Sequence, residues 1–401
     1  MQQKYTQRTI SCEAEYEENR IKSFSSSDTN VSSYRIYDNG EARIQYQTGI
    51  VPDAEGFRLA SLKPGRPWPF EPVAFTGSRD LTEEEMPDAL LLDEAEALIK
   101  ALTERYPQFI FSGGLERVTV ERRWTGENGL DLFCRDTAVW AGIGFKHVDS
   151  RDIHDGWFSL PQRTWSRQAA LDMAEDYLGR YNRPCELPEE VIIQGDLDFS
   201  ELLAGSLNAE SLGLGVSLLS DKIGSQAFSP LVTAVSDFTG RENYMNPFWD
   251  GEGFADEGFR RTFIDKGVVL YGAADRKTAQ KYGVPHTNGA NHSYADLPTP
   301  GRLRLSFDSS GKTVKELLAG RLSVIPLMSS GGGYNEKGDY AMPVQNALLS
   351  DGEKVLGRLP AFTISGNMFD FYGKDFIGSP CDKPITRLRT PLIRVHAKPM
   401  E

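Results

Sequence analysis

Histidine and cysteine are scarce in this sequence, and neither residue type is spaced like a set of metal ligands. The chain has five histidines and four cysteines in 401 residues. No CxxC or HExxH pattern occurs, so the sequence predicts neither a zinc ribbon nor a metal helix of that kind. Four scattered cysteines in so long a chain also exclude a disulfide framework.

Long apolar runs and excess positive charge are missing as well. No stretch approaches the roughly 18–20 apolar residues that a membrane helix needs. The formal net charge is −13, and such a surface repels phosphate backbones. The densest basic run, residues 117–123, is preceded by Glu116 and interrupted by Glu121. We expect no membrane and no nucleic-acid partner. Polar residues follow Met1 where a secretion signal would be apolar, so a cytoplasmic location is expected.

The composition that is present is that of a globular protein, with 25% charged and 39% hydrophobic residues. Strand-like alternation dominates, helices are few, and no regular βαβ order occurs, which predicts an α+β fold. We expect two domains: a mixed-sheet amino-terminal domain with helices over residues 1–185, and a strand-rich carboxy-terminal domain over 186–401. The boundary is placed at residues 181–188, which contain two prolines.

Local signals predict the individual elements. Turn residues, caps and apolar periodicity indicate hairpin turns at 38–40, 128–129, 265–267, 351–352 and 365–367, and helices over 89–106, 166–178, 199–212, 275–283 and from Thr313 toward Leu322.

One stretch is more specific than the rest: residues 246–254 read Asn-Pro-Phe-Trp-Asp-Gly-Glu-Gly-Phe. It is followed by ordered motifs at 260–270, 278–283, 287–291 and 362–368. Together these motifs, spread over residues 192–399, resemble the TldD/PmbA family, in which PmbA is also called TldE and whose members were once described as modulators of DNA gyrase.

The resemblance implies a cytosolic heterodimeric metallopeptidase that cuts peptides, including leader segments of modified peptides. In its TldD-like subunit, two histidines on a helix, the first beside a glutamate, bind zinc. The corresponding positions here are Ser200 and Gly205, with Glu201 beside the first. Serine is a poor zinc ligand and glycine has no side chain. We therefore expect no metal and no catalytic residue in this chain, and zinc in the partner. Cys381 lies near a cysteine used by the metal subunit, but without histidine partners it is either a lone reactive thiol or structural.

Several residues remain open to two interpretations. Asp250 and Glu252 are either a general acid/base pair or carboxylates that fix their loop through backbone N–H groups. His286 and His292 flank the 287–291 loop and either contact substrate or are exposed loop histidines. Residues 331–333 are three glycines without the lysine of a phosphate-binding loop, and allow either close approach of a peptide backbone or a flexible loop. The predicted substrate-binding residues are Glu252, Asn288, His292, Gly331, Gly332 and Gly333.

The sequence thus predicts a non-catalytic TldE/PmbA-like subunit that pairs with a TldD-like chain and contacts a peptide. A homodimer is conceivable without that partner. The alternatives are a stand-alone peptide-binding or regulatory module, and a hydrolase whose site the sequence does not reveal.

Overall fold

The computed structural model describes residues 1–83, 86–195, 197–301 and 303–400. The strands of the amino-terminal sheet are β1 (Gln2–Glu17), β2 (Arg20–Asp38), β3 (Glu41–Thr48), β4 (Arg66–Pro67), β5 (Thr76–Asp80), β6 (Phe109–Gly126), β7 (Asp131–His147) and β8 (Gly156–Gln162). The remaining strands are β9 (Val191–Ile193), β10 (Ala234–Asp237), β11 (Arg260–Asp265), β12 (Val268–Val269), β13 (Ser306–Phe307), β14 (Ser323–Ser329), β15 (Gly333–Tyr334), β16 (Asp339–Ser350), β17 (Val355–Leu359), β18 (Phe362–Asn367), β19 (Phe376–Gly378) and β20 (Leu392–Pro399). The helices are α1 (Asp53–Ser61), α2 (Asp88–Arg105), α3 (Arg167–Leu178), α4 (Phe199–Ser206), α5 (Ala209–Gly213), α6 (Arg276–Tyr282), α7 (Val314–Leu318) and α8 (Met368–Phe371).

The amino-terminal sheet is mixed. Its strands run in the order β4-β3-β2-β1-β6-β7-β5, and β8 also pairs with β7. The β5–β7 pair is parallel, whereas β1, β6 and their neighbours are antiparallel over long registers. Helices α2 and α3 cover one face with Leu91, Leu98 and Met173, which are buried against strand residues such as Phe111 and Phe145. The apolar stripe of each helix therefore supplies one half of this core.

The carboxy-terminal part is strand-rich. A small sheet has the order β12-β11-β10-β13. In the larger sheet β14, β9, β20, β18 and β16 pair in turn, and β16 pairs again with β14, which closes the strands into a ring. Helix α4 packs against this sheet through Phe199 and Leu203. The predicted α+β class and two-part layout are confirmed, while the boundary at residues 185/186 stays a prediction. None of the helices in the described ranges is long and apolar enough to cross a membrane.

Most local predictions are confirmed. Helix α2 spans Asp88–Arg105, and α3 begins after Ser166, whose side chain accepts a hydrogen bond from the backbone N–H of Ala169. Helix α6 is capped by Asp275 and followed by Gly283. The capping box between Thr313 and Glu316 is present. These signals act within one helical turn, so they are readable without the tertiary structure.

Three predictions were wrong or incomplete, and one helix was not predicted. The single helix expected over 199–212 is two helices, because the side chain of Asn208 caps α5. The helix from Thr313 ends at Leu318, since Ala319 takes a left-handed φ of 51°. Residues 365–367 are no hairpin turn: they belong to β18, and Asn367 caps α8. The sequence pattern does not predict helix α1, because Gly56 interrupts it. Glycine is nevertheless needed at this position, since an added Cβ would lie 2.3 Å from the Tyr34 ring.

Candidate functional site

A cleft of about 810 Å³ lies between the amino-terminal sheet and the carboxy-terminal strands. Trp140 and Pro161 on β7 and β8 form one wall, and Phe307 on β13 forms another. Most of the residues from 383 to 393 form a third side, and the first turn of α4 also lines the cleft. The volume falls within the roughly 300–1,000 Å³ of small-ligand sites. The cleft is therefore large enough to hold a ligand.

Helix α4 places one of the two predicted zinc-ligand positions at this cleft. Phe199 is buried against Tyr340 and Phe371, and this packing presents the neighbouring Ser200 to the cleft. Gly205 is exposed, does not line the cleft, and an added Cβ there would meet nothing within 4 Å. Positions five residues apart lie about 140° apart on an ideal helix. Ser200 and Gly205 therefore do not share one helical face in this chain.

The side chains around the cleft do not fit a zinc ion. Zinc in proteins is bound by cysteine, histidine and carboxylate groups. The described cleft residues include no histidine and no cysteine, and their two carboxylates belong to Asp237 and Glu242. Both are paired: Asp237 lies 3.5 Å from the Arg260 guanidinium, and Glu242 contacts Lys383. Cys381 is exposed and is not among the cleft residues. No step of chemistry through a metal follows from this cleft.

The 246–254 loop lies away from the cleft floor and is buried against the amino-terminal sheet. Phe248 and Trp249 are fully buried in one core with Tyr5, Trp124 and Tyr294. The Tyr5 and Tyr294 rings stack with centroids 3.6 Å apart. This loop therefore joins the amino-terminal sheet to the carboxy-terminal part by aromatic packing.

Asp250 fixes the loop through backbone hydrogen bonds. Its Oδ1 accepts from the N–H groups of Glu252 and Phe254 at 2.9 and 3.0 Å, and its Oδ2 accepts from the N–H of Ala290 at 3.0 Å. Gly251 allows its backbone to lie close to that of Asn291, since an added Cβ would lie 1.7 Å from the carbonyl oxygen of Asn291. These contacts are those expected from the loop-fixing interpretation of the two carboxylates.

Glu252 joins a buried polar cluster with His286. Glu252 Oε2 accepts from the N–H of Arg276 at 3.0 Å and lies 2.8 Å from His286 Nε2. One ligand atom each from Asp250, Glu252 and His286 lie within 4.8 Å of one another, a donor set that a divalent ion could use. Burial, and after it the charge of Glu252, raises the pKa of Asp250 well above its ordinary value. No local spacing predicts this cluster, because Glu252 and His286 are 34 residues apart.

The predicted substrate-binding residues do not converge on the cleft. Asn288 donates from Nδ2 to the carbonyl of Phe248 at 3.0 Å. His292 is exposed, its Nε2 lies 2.8 Å from the carbonyl oxygen of Trp249, and desolvation by neighbouring atoms lowers its pKa. Glu252 and His292 each border a smaller pocket. A substrate role for these residues stays a prediction.

The three glycines at 331–333 lie at the edge of the larger sheet. Gly333 pairs with Ala341 across β15 and β16. A Cβ on Gly332 would lie 2.2 Å from the carbonyl oxygen of Ala341. The backbone that approaches this run is thus the chain's own β16. Gly331, Gly332 and Gly333 are not among the residues that line the cleft, and their predicted contact with a peptide stays untested.

Sequence reasoning missed the basic side of the cleft. Arg304, Arg387 and Arg389 line it, although they are far apart along the chain from Trp140 and Ser200. The only local signal was the alternation of Arg387 and Arg389 with neutral residues.

Comparison with known proteins identifies the class of protein. Residues 196–397 match the model of the PmbA/TldA metallopeptidase C-terminal domain. The chain belongs to the PmbA/TldD family of metallopeptidase-like proteins.

The chain is similar to one curated protein in sequence and to several solved structures in fold. An uncharacterized protein of Methanocaldococcus jannaschii is 24% identical over 302 residues, 71% of this chain and 69% of that protein. TldE from Thermococcus kodakarensis superposes with a TM-score of 0.74 and 17% identity, covering 99% of this chain and 95% of its own. A protein described as a modulator of DNA gyrase, from Thermotoga maritima, gives a TM-score of 0.74 with 16% identity and the same coverage. At these identities the structural likeness shows the shared fold.

Proposed function

We propose that this chain is the non-catalytic, TldE/PmbA-like subunit of a heterodimeric zinc metallopeptidase in the cytoplasm. The observation that carries the proposal is the cleft at α4. Ser200 lines it at the position that the family resemblance assigns to a zinc ligand, and the described cleft residues offer no imidazole or thiolate. The TldD-like partner would bind the catalytic zinc. This chain would help enclose the peptide, such as a modified-peptide precursor or its leader segment.

The cleft suits a peptide better than a compact metabolite. Its walls carry the aromatic side chains of Trp140, Phe199, Tyr244, Phe307 and Tyr372, which offer apolar area for varied side chains. The overall charge of −13 disfavours a nucleic acid. A cleft that can enclose a peptide but offers no zinc ligands among its described residues is the arrangement expected of a subunit that holds substrate for another.

Co-expression with a TldD-like chain from the same genome tests the proposal. We expect the two chains to co-purify and to cleave unstructured peptides, with neither chain active alone. The matched control is the same complex carrying a partner whose zinc histidines are changed to alanine, which should assemble and be inactive. Failure to associate, together with unchanged partner activity, would contradict the proposal.

Three measurements separate the alternatives. Metal analysis should find no stoichiometric zinc; about one tightly bound zinc per chain, lost in Cys381→Ala, would place the metal here instead. Peptide cleavage by the pure chain, insensitive to chelator, would identify a hydrolase with its own site. Peptide binding without partner association would indicate a stand-alone binding module.

A further inference from the structure

The side chains that line the cleft carry more positive than negative charges, whereas the chain as a whole is negatively charged. The chain carries 57 acidic and 44 basic residues other than histidine. The described residues that line the cleft nevertheless include four cations, Arg304, Lys383, Arg387 and Arg389, against the two carboxylates of Asp237 and Glu242. A concave, low-dielectric wall concentrates the field of such charges. The cleft is therefore an attractive site for an anion on a protein that otherwise repels anions.

Two of the four cations are already neutralised by ion pairs. Lys383 contacts Glu242, and Arg387 Nη2 lies 2.6 Å from Asp176 Oδ2. Arg304 and Arg389 line the cleft without a hydrogen bond or ion pair to any residue within the described ranges. The neighbouring atoms lower the pKa of the Arg304 guanidinium through desolvation, but arginine stays charged in proteins. Two charged guanidinium groups thus line the cleft, and no described residue occupies their donors.

The backbone holds both arginines in defined places. Arg304 precedes β13, whose Ser306 and Phe307 pair with β10. Arg389 follows a segment in which Ile385 and Arg387 both take left-handed φ values, 65° and 56°. A β-branched, buried residue at positive φ is a strained conformation, and such strain is concentrated at binding and catalytic sites. The strained segment is the one that carries Arg387, Leu388 and Arg389 to the cleft wall.

We propose that Arg304 and Arg389 bind a carboxylate of the peptide that occupies this cleft. The guanidinium group presents a planar fork of donors that matches a carboxylate in two parallel hydrogen bonds. The aromatic walls at Phe307 and Tyr372 would contact the adjoining side chain. This inference rests on the proposed peptide function and adds the chemical class that the cleft selects: peptides with a C-terminal carboxylate, or with an aspartate or glutamate side chain, at this position.

Binding of fluorescently labelled, unstructured peptides to the full chain, followed by anisotropy, tests the inference. We expect Arg304→Gln and Arg389→Gln each to weaken binding by about tenfold to a hundredfold, the range of a lost charge-assisted hydrogen bond. Arg304→Lys keeps the positive charge but loses the planar fork of donors, so its affinity should fall between those of the wild type and Arg304→Gln. Arg123→Gln is the matched control, because Arg123 is exposed on the amino-terminal sheet and does not line the cleft. Thermal unfolding checks that every variant is folded.

Three forms of one peptide identify the source of the carboxylate. If amidation of the C-terminus removes binding, the terminal carboxylate is the ligand; if an internal glutamate restores it in the amide, side-chain carboxylates also serve. Both results support the inference. Equal binding of all forms, or equal weakening in Arg123→Gln, overturns it. Co-purification of Arg304→Gln with the TldD-like chain is measured separately, so loss of partner binding and loss of carboxylate binding are distinguishable.

Discussion

Replacing Asp250 with asparagine separates hydrogen bonding from charge in the 246–254 loop. The carboxylate accepts three backbone N–H groups through both oxygens, whereas asparagine has a single acceptor oxygen. If that oxygen keeps the N–H groups of Glu252 and Phe254, the amide nitrogen faces the N–H of Ala290. A stranded buried donor costs about 1–3 kcal/mol, and bonds to a neutral acceptor are weaker. We expect Asp250→Asn to lower the free energy of unfolding by about 2–4 kcal/mol.

Glu252→Gln is the matched control for that change. Glu252 Oε1 is buried without a hydrogen-bond partner in the described structure, whereas Oε2 accepts from Arg276. Glutamine can keep the accepting oxygen and place a donor where the unpaired oxygen lies. The substitution also removes the negative charge beside Asp250. We expect a loss below about 1 kcal/mol, or a gain.

The pH dependence gives a second readout. Burial first, and Glu252 second, raise the pKa of Asp250 in the folded protein. A carboxyl group with a raised folded pKa contributes stability that is present below its unfolded pKa and is lost as pH rises through the folded value. Removing the charge of Glu252 reduces that loss, so Glu252→Gln should gain stability relative to the wild type from acid to neutral pH. Urea unfolding followed by tryptophan fluorescence measures both effects; equal losses in the two variants, or parallel pH curves, would refute the reasoning.

Two further substitutions test the packing around the site. Arg163→Met should lower the free energy of unfolding by about 3–5 kcal/mol, because it leaves the buried carboxylate of Asp136 without its cation; urea titration measures this, and a loss below about 1 kcal/mol would contradict the assignment. Gly251→Ala should lower the free energy of unfolding by about 3 kcal/mol or more, since its Cβ would overlap the carbonyl oxygen of Asn291. Gly205→Ala is its control and should stabilise helix α4 by about 0.5–1 kcal/mol. Similar shifts of the melting temperature in both alanine variants would show that the loop adjusts to the added Cβ and would contradict the prediction.

The parts of the fold that the sequence predicted are those set by short-range chemistry. Ser166, Asp275 and Thr313 each cap a helix through a neighbour within three residues. The missed features depend on distant partners: Gly56 is required by the Tyr34 ring, and Asn367 extends a strand through pairing with Asp339. No local pattern contains such information.

In the candidate site, too, short-range features could be predicted from the sequence and long-range contacts could not. The motif at residues 246–254 identified the family, and the proposal that Asp250 fixes the loop followed from acceptors close to backbone donors. The basic cleft could not be predicted, because Arg304 and Arg389 meet Trp140 only through the packing of three sheets. The contact of Glu252 with His286 likewise required residues 284–291 to fold back over the 246–254 loop.

The core under helices α2 and α3 is completed late in the chain. Besides its own strands, it buries Ile325, Leu327, Leu348 and Val355, and finally Ile385. During synthesis at about 5–20 residues per second, the amino-terminal sheet would wait on the order of ten to forty seconds for these side chains after α3 has emerged. Its apolar surface stays uncovered for that time. The newly made chain is therefore expected to need chaperone protection before either half becomes stable.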